Sequence, residues 1–362
     1  MRTVTKVIAS VAALTVVAGA TAYWQRGAIA QRMFVRGVTA AMATDPIKQL
    51  PDGLHVILCG AGSPLPDPKR AGPCVAVVAG QRLFVVDVGD GAVRKLGQMG
   101  INASRAEAVL LTHFHSDHID GLGGFMLQHW GGGASKAPLP VHGPQGVEQV
   151  VAGFNDAYKL DSGYRIAHHG PGVMPPSGIG GVAVPFQITQ GGPSAVLIDT
   201  PDLKVTAFPV NHAPVEPAVG YKFTYKGRTV VISGDTSPSQ RVEAEARGAD
   251  LLVHEALSPE LVKIQQTAAL KAGRTNLAHV FADIPDYHTS PTAAAAIAQA
   301  AGVKMLLLDH IVPGLPFKAL EIPFVGDARS KFSGPLQVGH DGDRVSLPAN
   351  SDKVETGSAL RY

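Results

Sequence analysis

Residues 112–121 read Thr-His-Phe-His-Ser-Asp-His-Ile-Asp-Gly and follow the apolar run Val109-Leu110-Leu111. His113, His115, Asp117 and His118 thus stand within six positions. Imidazole nitrogen and carboxylate oxygen are donors that suit Zn²⁺ and similar divalent ions. A strand ending at Leu111 and a turn through Ser116 let His113 and His115 point the same way. Asp117 and His118 then face a second point close by. The spacing predicts two neighbouring metal ions. One segment cannot complete both coordination spheres, so the fold has to bring further ligands from distant parts of the chain.

Three later segments offer them. His212 ends the run Phe208-Pro-Val-Asn-His, Asp235 follows Val231-Ile-Ser-Gly, and His310 follows Leu306-Leu-Leu-Asp. Each is an apolar strand followed at once by a ligand-type residue, which is how separate segments converge on one face of a sheet. Together with His113, His115, Asp117 and His118 they give the inventory for two sites sharing one carboxylate.

The rest of the chain alternates accordingly. Apolar runs predict strands at 54–58, 75–78, 83–88, 106–111, 195–198, 203–209, 219–225, 229–233, 251–254 and 305–308. Helical patterns lie at 91–99, 119–128, 145–158, 240–247, 259–272 and 291–301. The 41 Gly and 27 Pro suit a strand-rich fold with long loops, among them the Gly/Pro-rich stretch 170–181. The expectation is two sheets covered by helices, in a catalytic domain over 53–348 with a flexible tail at 349–362.

The N-terminus differs. Arg2 and Lys6 precede Val7–Trp24, which carries no charge. Such a segment is an export signal or a membrane anchor. Ala18-Gly19-Ala20 offers a small-x-small cleavage site, whereas the run's length and its Tyr23-Trp24 end favour an anchor. Residues 25–52 read as a linker or amphipathic helix. Cys59 and Cys74 are the two cysteines. They form a disulfide if the domain is exported, or stay reduced in the core. A net charge of +2 supplies no general basic field for nucleic acid.

Further motifs join the first cluster in order: Cys-Gly-Ala-Gly-Ser-Pro at 59–64, Asn-His-Ala-Pro-Val-Glu-Pro-Ala-Val-Gly-Tyr at 211–221, Ser-Gly-Asp-Thr at 233–236, His254-Glu255-Ala256, His288-Thr289-Ser290 and His310. From about Leu54 to about Pro313 the chain resembles the metallo-β-lactamase superfamily, in the branch holding ribonuclease Z and exported arylsulfatase-like hydrolases. The resemblance implies an α/β fold, a four-layer αββα sandwich. It implies His113, His115 and His212 on one zinc, Asp117, His118 and His310 on the other, and Asp235 bridging; Mn²⁺ or Fe²⁺ suits the same donors. Two such ions bind a water between them and lower its pKa, so that the resulting bridging hydroxide attacks an ester. Asp117 is then both ligand and orienter of the nucleophile. His288 matches the histidine that stabilises the transition state or protonates the leaving group. His254, Glu255 and Asp87 are expected to brace the ligands by hydrogen bonds.

Departures from ribonuclease Z shape the substrate expectation. That enzyme grips pre-tRNA with a long basic arm between its Gly-Tyr segment and Ser-Gly-Asp-Thr, whereas here only Lys222–Ile232 intervene. It follows its last histidine with Ser-x-Arg-Tyr; here the sequence is Ile-Val-Pro-Gly-Leu-Pro. With the export segment, these departures disfavour nucleic acid as partner. The stretch Ser63–Pro73 resembles the arylsulfatase-like subgroup. The expectation is an exported enzyme, periplasmic or anchored facing outward, hydrolysing small anionic sulfate esters or phosphodiesters. The alternatives are ribonuclease Z-type tRNA 3′-processing and a non-catalytic metal-binding protein; a complete ligand set argues against the latter. Relatives are often dimers, so a homodimer is one expectation, although the sequence marks no interface.

Overall fold

Along Gly53–Gly60 (β1), Leu54, Val56 and Leu58 face one way, Ile57 and Cys59 the other, and all are buried. A strand apolar on both faces has to be covered on both. In the computed structural model this happens in four layers. The first sheet has the order β15-β14-β1-β2-β3-β4-β5-β6 and the second β13-β12-β11-β10-β9-β8-β7. After β1 the strands are β2 Cys74–Ala79, β3 Arg82–Val86, β4 Ala106–Leu110, β5 Leu139–Gly143, β6 Gly181–Pro185, β7 Ala195–Asp199, β8 Leu203–Pro209, β9 Val219–Tyr225, β10 Arg228–Ile232, β11 Leu251–Leu257, β12 Met305–Val312, β13 Leu336–Val338, β14 Asp343–Pro348 and β15 Glu355–Ser358. One core lies between the sheets, where Val56, Phe84 and Leu110 meet Val205, Phe223 and Leu307. Each fully buried side chain of this size contributes roughly 1.5–3 kcal/mol.

The outer faces carry helices. α2 (Ala92–Gln98), α4 (Leu122–Gly133) and α5 (Val147–His169) cover the first sheet through Leu96, Phe125, Met126 and Val151. α6 (Gln240–Glu245) and α9 (Pro291–Ala301) cover the second through Val242, Ala294 and Ala298. The four-residue helix α3 (Ser116–Ile119) sits inside the first histidine cluster. α7 (Pro259–Lys271) and α8 (Thr275–Asp283) form a hairpin with its own small core of Val262, Ala269, Ala278 and Phe281. The αββα architecture expected from the sequence is the one observed.

The topology explains why ligands converge. β10, β11 and β12 run parallel. β8 is antiparallel to β9, which is antiparallel to β10, so β8 shares their direction. The C-terminal ends of all four lie on one edge.

The structure describes residues 2–360 and falls into two units, 1–46 and 47–362. The first is a single helix, α1 (Arg2–Ala43), which runs unbroken past Trp24 and through most of the expected linker. Val7, Val11, Leu14, Val17 and Trp24 are exposed on it. By length and composition it is able to cross a membrane, with a mean hydropathy of 1.7 in its most apolar window. Cys59 and Cys74 form a disulfide between β1 and β2.

Several elements depart from the sequence reading. α5 continues to His169, beyond the last buried apolar residue, Val151, on which a periodicity reading depends. α8 and the strands β5, β6, β13 and β14 went unread. The expected flexible tail contains β15, paired antiparallel on β14; its last two residues, 361 and 362, lie outside the described ones. His310 lies within β12, not beyond it.

Candidate metal centre

The first cluster leaves β4 at Leu110 and turns through His115, which precedes α3. Asp87, just after β3, takes a left-handed backbone (φ 57°), rare for a residue with a side chain. Its carboxylate accepts from Thr112 N (2.8 Å), Thr112 Oγ1 (2.7 Å) and His118 Nδ1 (2.8 Å). It therefore ties the turn to β3 and sets the His118 ring.

His212 and Asp235 leave the ends of β8 and β10. His310 is an extra residue in β12: Glu255 pairs with Asp309 and Ala256 with Ile311, so His310 has no partner and takes φ 44°. A bulge of this kind re-aims one side chain out of the ladder. Here it turns the imidazole towards Asp117 and Asp235, with Nε2 3.2 Å from an oxygen of each.

The seven side chains stand in two groups. His113, His115, His212 and Asp235 offer atoms within 4.8 Å of one another, as do Asp117, His118 and His310. Asp235 reaches both, lying 4.0 Å from His113 Nε2 and 3.2 Å from His118 Nε2.

Proton placement tests whether cations fit. His212 Nδ1 donates to the Tyr287 carbonyl (3.0 Å), so its Nε2 carries the lone pair. Thr112 Oγ1 gives its proton to Asp87 and so accepts from His113 Nδ1 (3.0 Å), leaving His113 Nε2 bare as well. Both atoms face His115 Nδ1, at 3.3 and 3.0 Å. Burial first, then neighbouring imidazoles, lowers the pKa of His113 well below the usual value; burial also lowers His115 and His212. Three neutral ring nitrogens thus converge with at most one proton among them. A tetrahedral ion with bonds of about 2.0–2.1 Å places its nitrogens roughly 3.3 Å apart, so the spacing fits a zinc ion.

The second group shows the complementary sign. Burial opposes charge on His118, but Asp235, Asp87 and Asp117 outweigh it and hold the ring well above its ordinary pKa. Against the same burial, Asp235 and Asp117 raise His310 to about 9. Burial pushes Asp235 up, yet His310 and His118 hold it well below the carboxylate range. Protons here balance two carboxylates, the charge that a divalent ion balances when it displaces them.

The remaining expected residues lie around this centre. Glu255, buried on β11, accepts from Thr236 N (3.3 Å), Thr289 N (2.8 Å) and His288 Nδ1 (3.2 Å). The His288 ring stacks on His310 at 5.4 Å. His254 points elsewhere: its Nδ1 donates to the Glu255 carbonyl (2.8 Å) and not to a residue of the two groups. Two contributors were missed by sequence reasoning. Thr112 relays between Asp87 and His113, and its signal was its place at the head of the decapeptide. The Tyr287 carbonyl sets His212, and a carbonyl leaves no mark in a sequence.

Residues 86–311 match the family described as beta-lactamase superfamily domain. Ribonuclease Z of Mycobacterium bovis (strain BCG / Pasteur 1173P2) is 37% identical over 298 residues, covering 81% of this chain and 98% of that protein. Ribonuclease Z of Mycobacterium avium (strain 104) is 36% identical over 300 residues, covering 82% and 100%. The crystal structure of the short form of human tRNase Z shares the fold at a TM-score of 0.58, with 23% identity over 81% of this chain and 99% of that one.

These relatives overturn the arylsulfatase-like expectation and the argument against nucleic acid. That argument leaned on the missing arm, on the segment after His310 and on the export segment. A match of 298 residues that spans nearly all of the M. bovis protein leaves no room in it for a long arm absent here. A protein named ribonuclease Z therefore does without that insertion. Export finds no support in the matches either. The chain is a metal-dependent hydrolase of ester bonds, with the dinuclear zinc cofactor of its family. It belongs to the metallo-β-lactamase superfamily, in the ribonuclease Z-like branch.

Proposed function

We propose that this protein is a phosphodiesterase of ribonuclease Z type that hydrolyses RNA near a 3′ end. The reading is carried by 37% identity to a ribonuclease Z along 98% of that protein's length. His113, His115 and His212 would hold one zinc, Asp117, His118 and His310 the other, with Asp235 between. When bound, the zinc pair supplies Lewis acidity that acidifies water and neutralises charge on a phosphate.

The chain's own groups do the rest. Asp117, next to both groups of ligands, accepts a hydrogen bond from the attacking water and aims it. Glu255 accepts from His288 Nδ1 and so orients the ring, which lines the cavity over the centre. His288 gives its proton to the departing nucleoside oxygen as the phosphorus–oxygen bond breaks.

The test uses the zinc-loaded full chain and a 3′-extended tRNA transcript, with bis-p-nitrophenyl phosphate alongside. Cleavage of the transcript by the wild type and not by Asp235→Ala is expected. Hydrolysis of the small diester with the transcript left whole would overturn the RNA assignment.

We further propose that α1 is a membrane leader placing residues 47–362 outside the cytoplasm, so that the RNA they cut is met there and the export segment does not count against a nucleic-acid substrate. Its support is the uncharged run Val7–Trp24 and the disulfide, a bond kept in oxidising compartments. Fractionation with thiol labelling checks this; a cytoplasmic domain with both cysteines reduced refutes it.

A further inference from the structure

A cavity of about 290 Å³ opens over the proposed metal centre, and His115, Asp117, Asp235, His288 and His310 line its polar side. The other side is apolar. Pro64 and Leu65 come from the loop after β1, Val312 ends β12, Val280 belongs to α8, and Ile284 and Tyr287 follow that helix. Val280 is 47% exposed, and Leu65, Ile284 and Tyr287 are half-buried. An anionic ester alone gains nothing from such a wall. Apolar side chains left to water beside a charged centre mark a place where an apolar group docks.

The wall is preformed. Asp67 accepts from Lys69 N (2.8 Å) and Leu315 N (3.2 Å) and pairs with the buried Arg70 at 3.1 Å. Arg70 Nε in turn donates to the Gly339 carbonyl (3.0 Å), which holds the Pro64-Leu65 loop in place. On the opposite side the α7–α8 hairpin packs Phe281 and Ala278 against Leu257 and Val312, with Leu65 and Ile284 at the margin.

The occupant has to lie within one nucleotide of the ester phosphorus. On the ribonuclease reading above, on which this inference rests, the apolar-faced group in that position is a nucleobase. Aromatic side chains take up unstacked single-stranded bases in this way. We infer that Tyr287, with Val280, Ile284 and Leu65, forms a nucleobase subsite beside the scissile phosphate. It receives the base of the nucleoside whose oxygen departs, because the Tyr287 ring lies 5.0 Å from His288, the group facing that oxygen.

Two RNA oligonucleotides identical except for an abasic site at that nucleotide test this with the zinc-loaded full chain. Stacking of a base on an aromatic ring is worth about 1–3 kcal/mol. The base-bearing RNA should therefore exceed the abasic one in kcat/KM roughly 5- to 150-fold. Tyr287→Leu should collapse that ratio towards one, Tyr287→Phe should keep most of it, and Val280→Ser should lower it less than Tyr287→Leu. Equal cleavage of both RNAs by the wild type overturns the subsite. So does a Tyr287→Leu protein that slows both by the same factor, since the ring then only positions His212 and His288. Hydrolysis of bis-p-nitrophenyl phosphate with neither RNA cut overturns the ribonuclease reading itself, and the subsite with it.

Discussion

The two sheets supply the metal centre in opposite ways. The first delivers His113, His115, Asp117 and His118 from one turn after β4, braced by the single carboxylate of Asp87. The second delivers His212, Asp235 and His310 one at a time, from β8, β10 and the bulge in β12. The first half depends on local backbone geometry. The second depends on parallel strands ending at one edge, and so on the whole sheet. The turn gives His113 and His115 to one group of ligands and Asp117 and His118 to the other, so a fault in it should disturb both groups, as should a fault at Asp235, which reaches both.

The largest expected effect follows from that last point. Asp235→Ala should abolish hydrolysis and lower bound zinc from two ions towards none, measured by elemental analysis beside turnover. An active protein with both metals would show that the two halves do not meet through this carboxylate. His288→Ala should leave both metals bound and lower kcat by roughly 10²–10⁴, the usual weight of a positioned proton donor. Metal loss in this variant would mean that the second sheet's outer residues hold ions instead of moving protons.

Asp87→Ala probes the brace of the first sheet. It removes the acceptor of His118 Nδ1 and should weaken zinc binding about 10- to 100-fold, read by competition with a chelator. Unchanged affinity would show that the turn holds its own shape. Replacing Cys59 and Cys74 by serine should cost about 3 kcal/mol, since the bridge closes a loop of 15 residues in the first sheet. Denaturant midpoints measure the loss, and the zinc content of the folded protein should not change.

The smallest effect is one of pH. His55 on β1, His142 on β5 and His129 on α4 belong to the first sheet and its helices, and burial lowers all three below 6.5. The folded state keeps them neutral while the unfolded chain binds protons below about 6.5, so stability falls as pH drops through that value. Burial lowers His254 on β11 and His212 after β8 in the same sense, so hydrogen exchange between pH 7 and 5 should show protection falling in both sheets. Protection unchanged in the first sheet over that range would refute the reading.

Legibility followed the same division. The decapeptide announced its own chemistry, because four donors within six positions leave few other uses. Leu203–Pro209, Val219–Tyr225 and Pro291–Ala301 were bounded correctly, since apolar patterning and the Ser290-Pro291 start suffice there. β14 and the edge strand β15 were missed because they are short and partly polar; β15 is exposed throughout and exists by pairing with β14. The substrate expectation failed for another reason. The absence of an insertion was read as evidence about substrate, although relatives named ribonuclease Z lack it as well.

By itself the sequence determined the donor types, their order and the sandwich that collects them, because periodicity and donor chemistry are written residue by residue. Tertiary structure alone decided what each donor faces. It gave His310 its bulge, turned His254 away, set His212 by the Tyr287 carbonyl, and raised an apolar wall from a helical hairpin beside the charged centre. These depend on strand register and on backbone atoms common to every residue, so no side-chain pattern records them.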